Sequence, residues 1–405
     1  MKIIYLHQYF LTPEMAGGTR SYEMARRLVA AGHEVRMITT DQRGTPGAPA
    51  WRQTNEHGID VHWANVAYGN EMSSFRRIAA FLRFAFKATA MATRGDADVI
   101  FATSTPLTIA IPAILASAWI RRPFVFEVRD MWPDVPIQIG AIRNPLLIWA
   151  ARSLELTAYR RAAHVVALAP GMKEDIVAKG IPAEKVSVIP NGCDLDLFSR
   201  EAEQSPRMNF DWLGNRKLVL FAGTFGLVNG VDYLVRVARE FVAIDPNVRF
   251  VVIGAGRERD AVRRSAEAAG VLDKSFFMLD AMPKRDLAKW LHAADIHIAL
   301  FTGPRVVWKD AVQNKFFDAL AAGKPIANNF DGWQTRIAVE AGVGLLLDPV
   351  DVAEAARHLA ATLGDDAWLA AVKARAQALA NGQFSRDFLA SILERTLARL
   401  VPAGP

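Results

Sequence analysis

Short apolar runs alternate with longer segments of helical periodicity along the whole chain. Between two such runs in the second half, apolar residues recur every three or four positions, which is typical of an amphipathic helix. The short runs are mostly apolar throughout, as expected of strands in a parallel sheet covered by helices on both faces. The predicted strands are Ile3–Leu6, Glu34–Thr39, Asp98–Ala102, Phe124–Val128 and His164–Leu168, then Leu218–Ala222, Val248–Ile253, Phe276–Leu279, Ile296–Leu300, Pro325–Ala327 and Gly344–Leu347.

Two successive blocks of alternating elements predict an α/β protein with two Rossmann-like, doubly wound parallel-sheet domains. The length of 405 residues agrees, because a single hydrophobic core stops growing near about 250–300 residues. Ligands of such sheets bind beyond the carboxyl ends of the strands, so we expect a cleft with the domains facing across it. The polar stretch Ser199–Asn215 is the predicted linker. We expect domains over 1–198 and 199–385, and a last helix over 386–405 that returns towards the first domain.

The composition, with 51% apolar and 22% charged residues, indicates a globular protein rather than a disordered chain. A single cysteine, Cys193, excludes an intramolecular disulfide framework and agrees with a reducing compartment. We interpret Cys193 as a filler of a loop, since no histidine lies near it in sequence. The opening run Met1–Leu6 is too brief for a signal peptide, and no apolar run reaches the roughly 18 residues of a spanning helix. We therefore expect a cytoplasmic protein.

The positive charge of the chain lies entirely in its first half. Residues 1–192 hold 22 Lys and Arg against 16 Asp and Glu, whereas residues 193–405 hold 26 of each. Such asymmetry predicts that the first half faces an anionic partner. Nucleic acid is the less favoured partner, because no recognition module is evident.

The segment from Met72 to Gly95 carries five cationic residues and no acid, and a second segment, 143–161, carries four arginines against Glu155. On a helix, Arg76, Arg83 and Lys87 fall within about 40° of one another. Phe84 lies on one side of this cationic stripe, and Phe75 and Phe86 lie on the other. Cations flanked by aromatic rings suit a helix lying at an anionic membrane surface. The alternative is that the apolar residues pack on the sheet while the arginines face solvent. The residues predicted to meet the membrane or a membrane-bound acceptor are Arg76, Arg77, Phe81, Arg83, Phe84 and Lys87.

Two acids, Asp310 and Asp318, lie eight positions apart, and the second begins a run of small residues that ends at Gly323 and Pro325. Carboxylates accept hydrogen bonds at both oxygens and so hold sugar hydroxyls well. The backbone N–H groups of residues 311–314, at the start of a helix, suit a phosphate. Two solvated surface acids are the alternative reading, and the spacing alone favours that alternative.

This frame resembles the acidic motif of the retaining family-four glycosyltransferases of the GT-B architecture, with aspartates in place of the usual glutamates. The resemblance spans nearly the whole chain and implies that Asp310 binds the donor sugar and Asp318 the ribose hydroxyls. The segment from Pro13 through Gly17 and Gly18, which follows the first strand, also resembles this family. It is similar to the branch that transfers N-acetylated hexosamines or their deoxy derivatives in the assembly of surface polysaccharides such as O-antigen and capsule.

Residues 126–134 strengthen the narrower resemblance. Many members of the family have a histidine where Arg129 lies, and arginine cannot act as a base because it stays protonated. Asp130 is then the candidate to orient the acceptor or to take its proton, while Arg129 stabilises the leaving phosphate. A structural ion pair between the two side chains is an open alternative.

The loop after the first strand of the second domain, 221–230, resembles the family's loop for the donor phosphates, but Asn229 replaces a lysine. Lys315 is our preferred substitute cation, with Lys309 or Arg305 as alternatives. Gly254 follows the next strand, and Ala281 and Met282 lie where relatives hold the nucleobase. The predicted catalytic residues are Asp130, Arg129, Asp310 and Lys315. The residues predicted to bind the donor are Gly17, Gly18, Gly223, Thr224, Asn229, Gly254, Ala281, Met282, Lys309, Ala311, Val312 and Asp318.

The resemblance implies transfer with retention from a nucleotide sugar, with uridine diphosphate as the expected nucleotide. We expect no metal, because the eight histidines show no ligand-like spacing and Asp194 and Asp196 are better explained by a turn, and no cofactor beyond the substrate. The expected acceptor is a polyprenyl-diphosphate-linked saccharide at the inner face of the cytoplasmic membrane. A sugar-nucleotide epimerase of the same fold and a non-catalytic scaffold remain open. The scaffold is motivated by the departures from the family's pattern at Arg129, Asn229 and both aspartates.

Overall fold

The computed structural model describes residues 1–42, 44–69, 72–198 and 205–401, which form two compact units. The prediction of an α/β protein with two Rossmann-like domains is confirmed. The chain changes unit between Pro190 and Asn191, eight residues before the predicted boundary, and the described part of the linker contains a single turn of 3-10 helix at Pro206–Met208. Residues 199–204 of that linker lie outside the described residues. Unit 1 comprises Met1–Thr12, Thr19–Pro190 and Asp387–Pro405, and unit 2 comprises Pro13–Gly18 and Asn191–Arg386.

The described residues of unit 1 form an eight-stranded sheet in the order β3-β4-β2-β1-β5-β6-β7-β8. All neighbouring strands are parallel except β3 and β4, which form an antiparallel hairpin at one edge. The strands are β1 (Lys2–Leu6), β2 (Glu34–Asp41), β3 (Trp51–Glu56), β4 (Ile59–Asn65), β5 (Val99–Thr103), β6 (Phe124–Val128), β7 (His164–Ala167) and β8 (Val186–Val188).

Helices cover both faces of this sheet. The connection from β1 to β2 runs in one direction across the sheet, whereas those from β4 to β5, β5 to β6 and β6 to β7 run in the other. Right-handed crossovers therefore place α1 on one face and α2, α3 and α5 together on the opposite face. The helices are α1 (Arg20–Ala30), α2 (Ser74–Ala92), α3 (Ala110–Ile120), α4 (Asp134–Gln138), α5 (Pro145–Arg161) and α6 (Pro170–Ala178).

Sequence analysis did not predict β3, β4 or β8. The internal strand β4 reads IDVHWAN and alternates buried with partly exposed side chains along most of its length, so it lacks a continuous apolar run. The edge strand β3 exposes most of its side chains and reads WRQTNE, and β8 has three residues. An edge strand needs only one partner and one buried face, so it lacks the continuous apolar run that marks β1 or β6.

Unit 2 contains a wholly parallel six-stranded sheet in the order β11-β10-β9-β12-β13-β14. Its strands are β9 (Leu218–Ala222), β10 (Arg249–Ile253), β11 (Phe276–Leu279), β12 (Ile296–Ala299), β13 (Ile326–Asn328) and β14 (Gly344–Leu346). Its helices are α7 (Leu195–Phe198), α8 (Asp232–Val242), α9 (Arg259–Ala268), α10 (Lys284–Ala293), α11 (Arg305–Trp308), α12 (Asn314–Ala321), α13 (Trp333–Glu340), α14 (Val352–Gly364) and α15 (Asp366–Asn381).

Two apolar clusters, one on each face of this sheet, form the core of unit 2. Helix α8 contributes Leu234, Val235, Ala238 and Phe241 to one of them, which are positions that the helical periodicity predicted. Cys193 belongs to the other, where burial raises the pKa of its thiol and keeps it protonated. A buried, protonated thiol is a packing residue, as the sequence interpretation held.

The last helix, α16 (Arg386–Ala398), passes from unit 2 back into unit 1 after its first residue. Within unit 1 it pairs with α1 and the residues that follow it. Arg27 Nε donates to Asp387 Oδ1 over 2.5 Å, and His33 Nε2 lies 3.1 Å from Glu394 Oε1.

Candidate functional site

A cavity of about 510 Å³ opens in unit 2 at the carboxyl ends of its strands. The loops after β9, β10, β11 and β12 meet there because parallel strands all end at the same edge of a sheet. A larger cavity, of about 780 Å³, lies away from these loops beside α15. The predicted donor residues that line the 510 Å³ cavity are Gly17, Gly18, Gly223, Thr224, Asn229, Gly254, Ala281, Met282, Val312 and Asp318, together with Lys315 from the predicted catalytic group.

Two glycines allow the loops after β9 and β10 to approach each other and Lys315. A Cβ on Gly254 would lie 1.9 Å from the Gly223 carbonyl oxygen, at a backbone φ of 157°. A Cβ on Gly223 would lie 2.8 Å from the Lys315 Nζ. Only glycine fits at position 254, where a Cβ would meet the backbone, whereas a Cβ at position 223 would displace the flexible end of the Lys315 side chain.

Lys315, near the start of α12, has an unusual environment for an amine. Its Nζ lies 4.9 Å from the centroid of the Phe221 ring. Burial lowers the pKa of Lys315 to about 8, and the negative charge of Asp318 only partly opposes this shift. An anion in the cavity would favour the charged amine, so the site is suited to binding a phosphate-type group.

Asp318 is buried in α12 and accepts a hydrogen bond from the Nζ of Lys284, the first residue of α10. Burial raises the pKa of Asp318, while Lys284 favours the charged carboxylate. The hydrogen bond from Lys284 engages Oδ1 of Asp318, whose side chain lines the cavity. Sequence analysis missed Lys284, although one signal was present: a lysine directly after Pro283, at a helix N-terminus, is electrostatically unfavourable and calls for an acidic partner.

Asp310, Lys309 and Ala311 do not line the described cavity. They lie between α11 and α12, so the two acids of the motif are on a turn and on a helix rather than on one continuous helix. The Nζ of Lys309 lies 3.2 Å from Asp310 Oδ2. The structure thus separates Asp310 from Asp318, and the donor-sugar role of Asp310 stays a prediction.

The segment Pro13–Gly18 groups with unit 2 although it follows β1 in the sequence. Glu14 Oε1 pairs with Arg285 over 3.0 Å, and a Cβ on Gly18 would lie 2.7 Å from the Nδ2 of Asn314. Asn314 also lines the cavity and was not predicted as a site residue. Gly18, the neighbour of Asn314 in the cavity wall, lies more than 290 positions away in sequence. A pattern of residues close together along the chain therefore cannot predict this contact.

In unit 1, Arg129 and Asp130 follow β6 and take separate partners. Arg129 Nη1 donates to His7 Nε2 over 3.2 Å, and Asp130 Oδ2 accepts from Thr105 Oγ1 over 3.1 Å. Among the described side chains no ion pair joins Arg129 to Asp130, so the structural ion pair offered as the alternative is not formed. The carboxylate of Asp130 remains exposed.

His7, at the end of β1, was not predicted as a site residue. Burial, with the adjacent charge of Arg129, lowers the pKa of His7 well below its ordinary value, so the imidazole is neutral. Because Nε2 accepts from Arg129, the proton resides on Nδ1, which is buried and has no hydrogen-bond partner among the described residues.

The predicted membrane-facing residues of α2 divide into three pairs. Phe81 and Phe84 are buried in the core of unit 1, so their predicted contact with a membrane is wrong: they pack towards the sheet. Arg76 and Arg83 are exposed. Two others contact aromatic rings, with Arg77 lying 5.9 Å from the Tyr68 ring centroid, and Lys87 5.9 Å from that of Trp51.

Two absences concern the described residues of the chain. No helix there combines the length and apolar character needed to cross a membrane. No three or more His, Cys, Asp or Glu side chains come together there in a way that suits a metal ion. Asp194, which sequence analysis assigned to a turn, accepts a 2.8 Å hydrogen bond from Arg386 Nε.

Two family models match the chain. The model described as a glycosyl transferase 4-like domain matches residues 16–192, and the model described as glycosyl transferases group 1 matches residues 216–365. The first match falls mainly within unit 1 and the second within unit 2.

Similar proteins agree with the two models. A protein of Escherichia coli strain K12 assigned to colanic acid biosynthesis, the glycosyl transferase WcaI, is 25% identical over 67% of this chain and 71% of its own. The D-inositol 3-phosphate glycosyltransferase of Xylanimonas cellulosilytica is 26% identical over 96% of this chain and 93% of its own. The crystal structure of Anabaena HepE in complex with UDP and glucose superposes with a TM-score of 0.72 at 21% identity, covering 99% of this chain and all of the other.

Proposed function

The chain belongs to the glycosyltransferases of the GT-B architecture, and we propose that it transfers an N-acetylhexosamine or a deoxy derivative from a uridine diphosphate sugar to a lipid-linked saccharide. The acceptor is a polyprenyl-diphosphate-linked saccharide of surface polysaccharide synthesis. The protein works in the cytoplasm, at the inner face of the membrane.

The observation that carries the donor half of this proposal is the position of Lys315. Its amine lies at the wall of the cavity against a glycine loop, next to the carboxylate of Asp318. A diphosphate needs a cation and backbone N–H groups, and a ribose needs a carboxylate acceptor. Both requirements are met along α12, with Lys315 for the diphosphate and Asp318, held by Lys284, for the ribose.

We propose transfer with retention of the anomeric configuration and without a metal ion. The bond from the anomeric carbon to the diphosphate oxygen breaks, and its electron pair stays on that oxygen. The acceptor hydroxyl bonds to the same face of the short-lived oxocarbenium-like ion, and its proton passes to the departing diphosphate. Lys315 supplies the positive charge that stabilises the leaving diphosphate, and positioning supplies the remainder of the rate enhancement.

The acceptor binds through unit 1 in this proposal. Asp130 is exposed at the end of β6 and held by Thr105, which suits a carboxylate that orients an acceptor hydroxyl. Arg129 retains a permanent charge and is oriented by the neutral imidazole of His7, so that it is available to an acceptor phosphate.

A screen of UDP-, GDP- and dTDP-sugars for thermal stabilisation tests the donor, because a ligand that binds only the native state raises its apparent stability. We expect UDP-sugars to stabilise the wild type and to lose most of this effect with Lys315→Met. Transfer is then measured with the stabilising donor and a polyprenyl-diphosphate saccharide, and the product anomer is assigned by NMR. Conversion of the donor without any acceptor would instead indicate an epimerase, and absence of binding by every nucleotide sugar would overturn the proposal.

A further inference from the structure

Three neighbouring helices of unit 1 expose large apolar side chains, and we propose that together they form the surface by which the protein lies on an anionic lipid bilayer. We call this surface, defined by Phe75, Phe86, Trp119, Leu146 and Trp149, the three-helix face. The inference rests on the proposed function in one respect: an acceptor anchored in lipid requires the enzyme to work at a membrane.

Helix α2 is apolar on two opposite sides. Its buried side, with Phe81 and Phe84, packs towards the sheet. A second stripe, which begins with Phe75 and ends with Phe86 and includes Ile78 and Leu82, falls within about 80° on the opposite side of the helix. Phe75 is 81% exposed and Phe86 is 71% exposed. A helix that serves only to cover the sheet needs one apolar stripe, so the second stripe requires another partner.

The other two helices expose tryptophan. Trp119 on α3 is 76% exposed and Trp149 on α5 is 69% exposed, and Leu146 accompanies Trp149 on the first turns of α5. Tryptophan is among the most buried residues on average, and its ring with one N–H group suits the boundary between hydrocarbon and headgroups. Two exposed tryptophan rings on adjacent helices therefore indicate a binding surface, whereas a single exposed leucine does not.

The topology places the exposed apolar side chains of the three helices on the same side of unit 1. Right-handed crossovers place α2, α3 and α5 on one face of the sheet, and α3 packs against both α2 and α5. The side chains of each helix that do not contact the sheet thus point away from it on one continuous surface. This surface belongs wholly to unit 1, so it does not depend on how the donor is bound.

The charges of these helices identify the partner. Helices α2 and α3 contain no aspartate or glutamate, and the single acid of α5, Glu155, is buried and paired with Lys179. Arg76 and Arg83 are exposed beside the apolar stripe of α2, and Arg121 and Arg122 follow α3. Phosphate headgroups complement such a surface.

A second copy of this chain is a poor occupant for the same reason. A two-fold interface pairs the same patch on both subunits, which brings arginines towards arginines with no exposed acid on these helices to compensate. An anionic bilayer accounts for both the exposed aromatic rings and the exposed arginines of the three-helix face. The rings enter the headgroup boundary, and the arginines contact lipid phosphates.

Cosedimentation with vesicles tests the inference on the full chain. Vesicles of phosphatidylcholine alone are compared with vesicles that contain phosphatidylglycerol, and the variant is Trp119→Ala/Trp149→Ala. Since the chain has ten tryptophans, the bound fraction is a cleaner measure than intrinsic fluorescence. The matched control is Met208→Ala/Val350→Ala, which removes two apolar side chains that are at least as exposed as the tryptophans but lie in unit 2.

We expect the wild type and the control to bind phosphatidylglycerol vesicles, and the tryptophan variant to bind about tenfold more weakly or less. Thermal stabilisation by the UDP-sugar should be unchanged in all three proteins, which shows that the variant is folded.

Equal vesicle binding by wild type and tryptophan variant, or no binding by the wild type, would overturn the inference. So would a wild-type dimer that the tryptophan variant converts to a monomer without a change in vesicle binding. If instead vesicle binding behaves as expected but no nucleotide sugar binds, the proposed function fails and the membrane surface stands.

Discussion

Lys315 gives donor binding a pH dependence whose sign and size follow from its surroundings. In the free protein, burial lowers the pKa of this amine to about 8. Two phosphate groups beside the amine would favour its charged form and raise that pKa towards or above its ordinary value. Binding of the donor therefore takes up a proton whenever the amine of the free protein is neutral.

The direction of the pH dependence follows from the difference between the pKa of Lys315 in the free protein and its pKa in the donor complex. Below about pH 7 the amine is already charged in the free protein, and the full affinity is present. As the pH rises through 8, the charged fraction falls from about 90% at pH 7 to about 10% at pH 9, so the donor binds about tenfold more weakly at pH 9, or about 1.4 kcal/mol. The loss continues until the pH reaches the pKa of the donor complex.

Isothermal titration calorimetry with the UDP-sugar measures this directly at pH 7, 8 and 9. At pH 8.5, two buffers of different ionisation enthalpy should report uptake of a substantial fraction of a proton. Lys315→Met should bind weakly at every pH and lose the slope, whereas Lys289→Met, on α10 but outside the cavity lining, should retain it. An affinity of the wild type that stays level from pH 7 to 9, or a slope that persists in Lys315→Met, would refute the reasoning.

Three further predictions concern single contacts. Gly223→Ala would place a Cβ 2.8 Å from the Lys315 amine, so we expect weaker UDP-sugar binding by calorimetry with little change in melting temperature; unchanged affinity would contradict this. Asp318→Ala leaves Lys284 buried without its partner, and we expect a loss of about 3–5 kcal/mol in urea unfolding, which Lys284→Met in the same chain should partly restore. Glu127→Ala leaves the fully buried Arg20 without its carboxylate and should cost a similar amount, whereas a loss under about 1 kcal/mol would show that Arg20 is satisfied by the carbonyls of Ile189 and Pro190.

The surface that we propose for the membrane illustrates what the sequence alone predicts. The segment without acids and its arginines were visible in the sequence, and the sequence predicted a basic helix near Arg76 and Arg83. The periodicity of α2 did not distinguish its two apolar sides. The sequence placed Phe75, Phe84 and Phe86 all beside the cationic stripe, whereas the structure exposes Phe75 and Phe86 and buries Phe84. A periodic pattern reports that one side of a helix is apolar, but only the packed neighbours decide which side they cover.

The cavity that we propose for the donor also combines features that the sequence predicted with features that only the structure revealed. Local patterns in the sequence predicted most of the strands in their order, whereas the glycine loops at Gly223 and Gly254 and Lys315 with Asp318 were predicted from the family resemblance, and these residues line one cavity. Only the tertiary structure placed Lys284 on Asp318 and Asn314 beside Gly18. Such pairs form because the carboxyl ends of parallel strands gather distant loops at one edge, and no local periodicity records which loops will meet there.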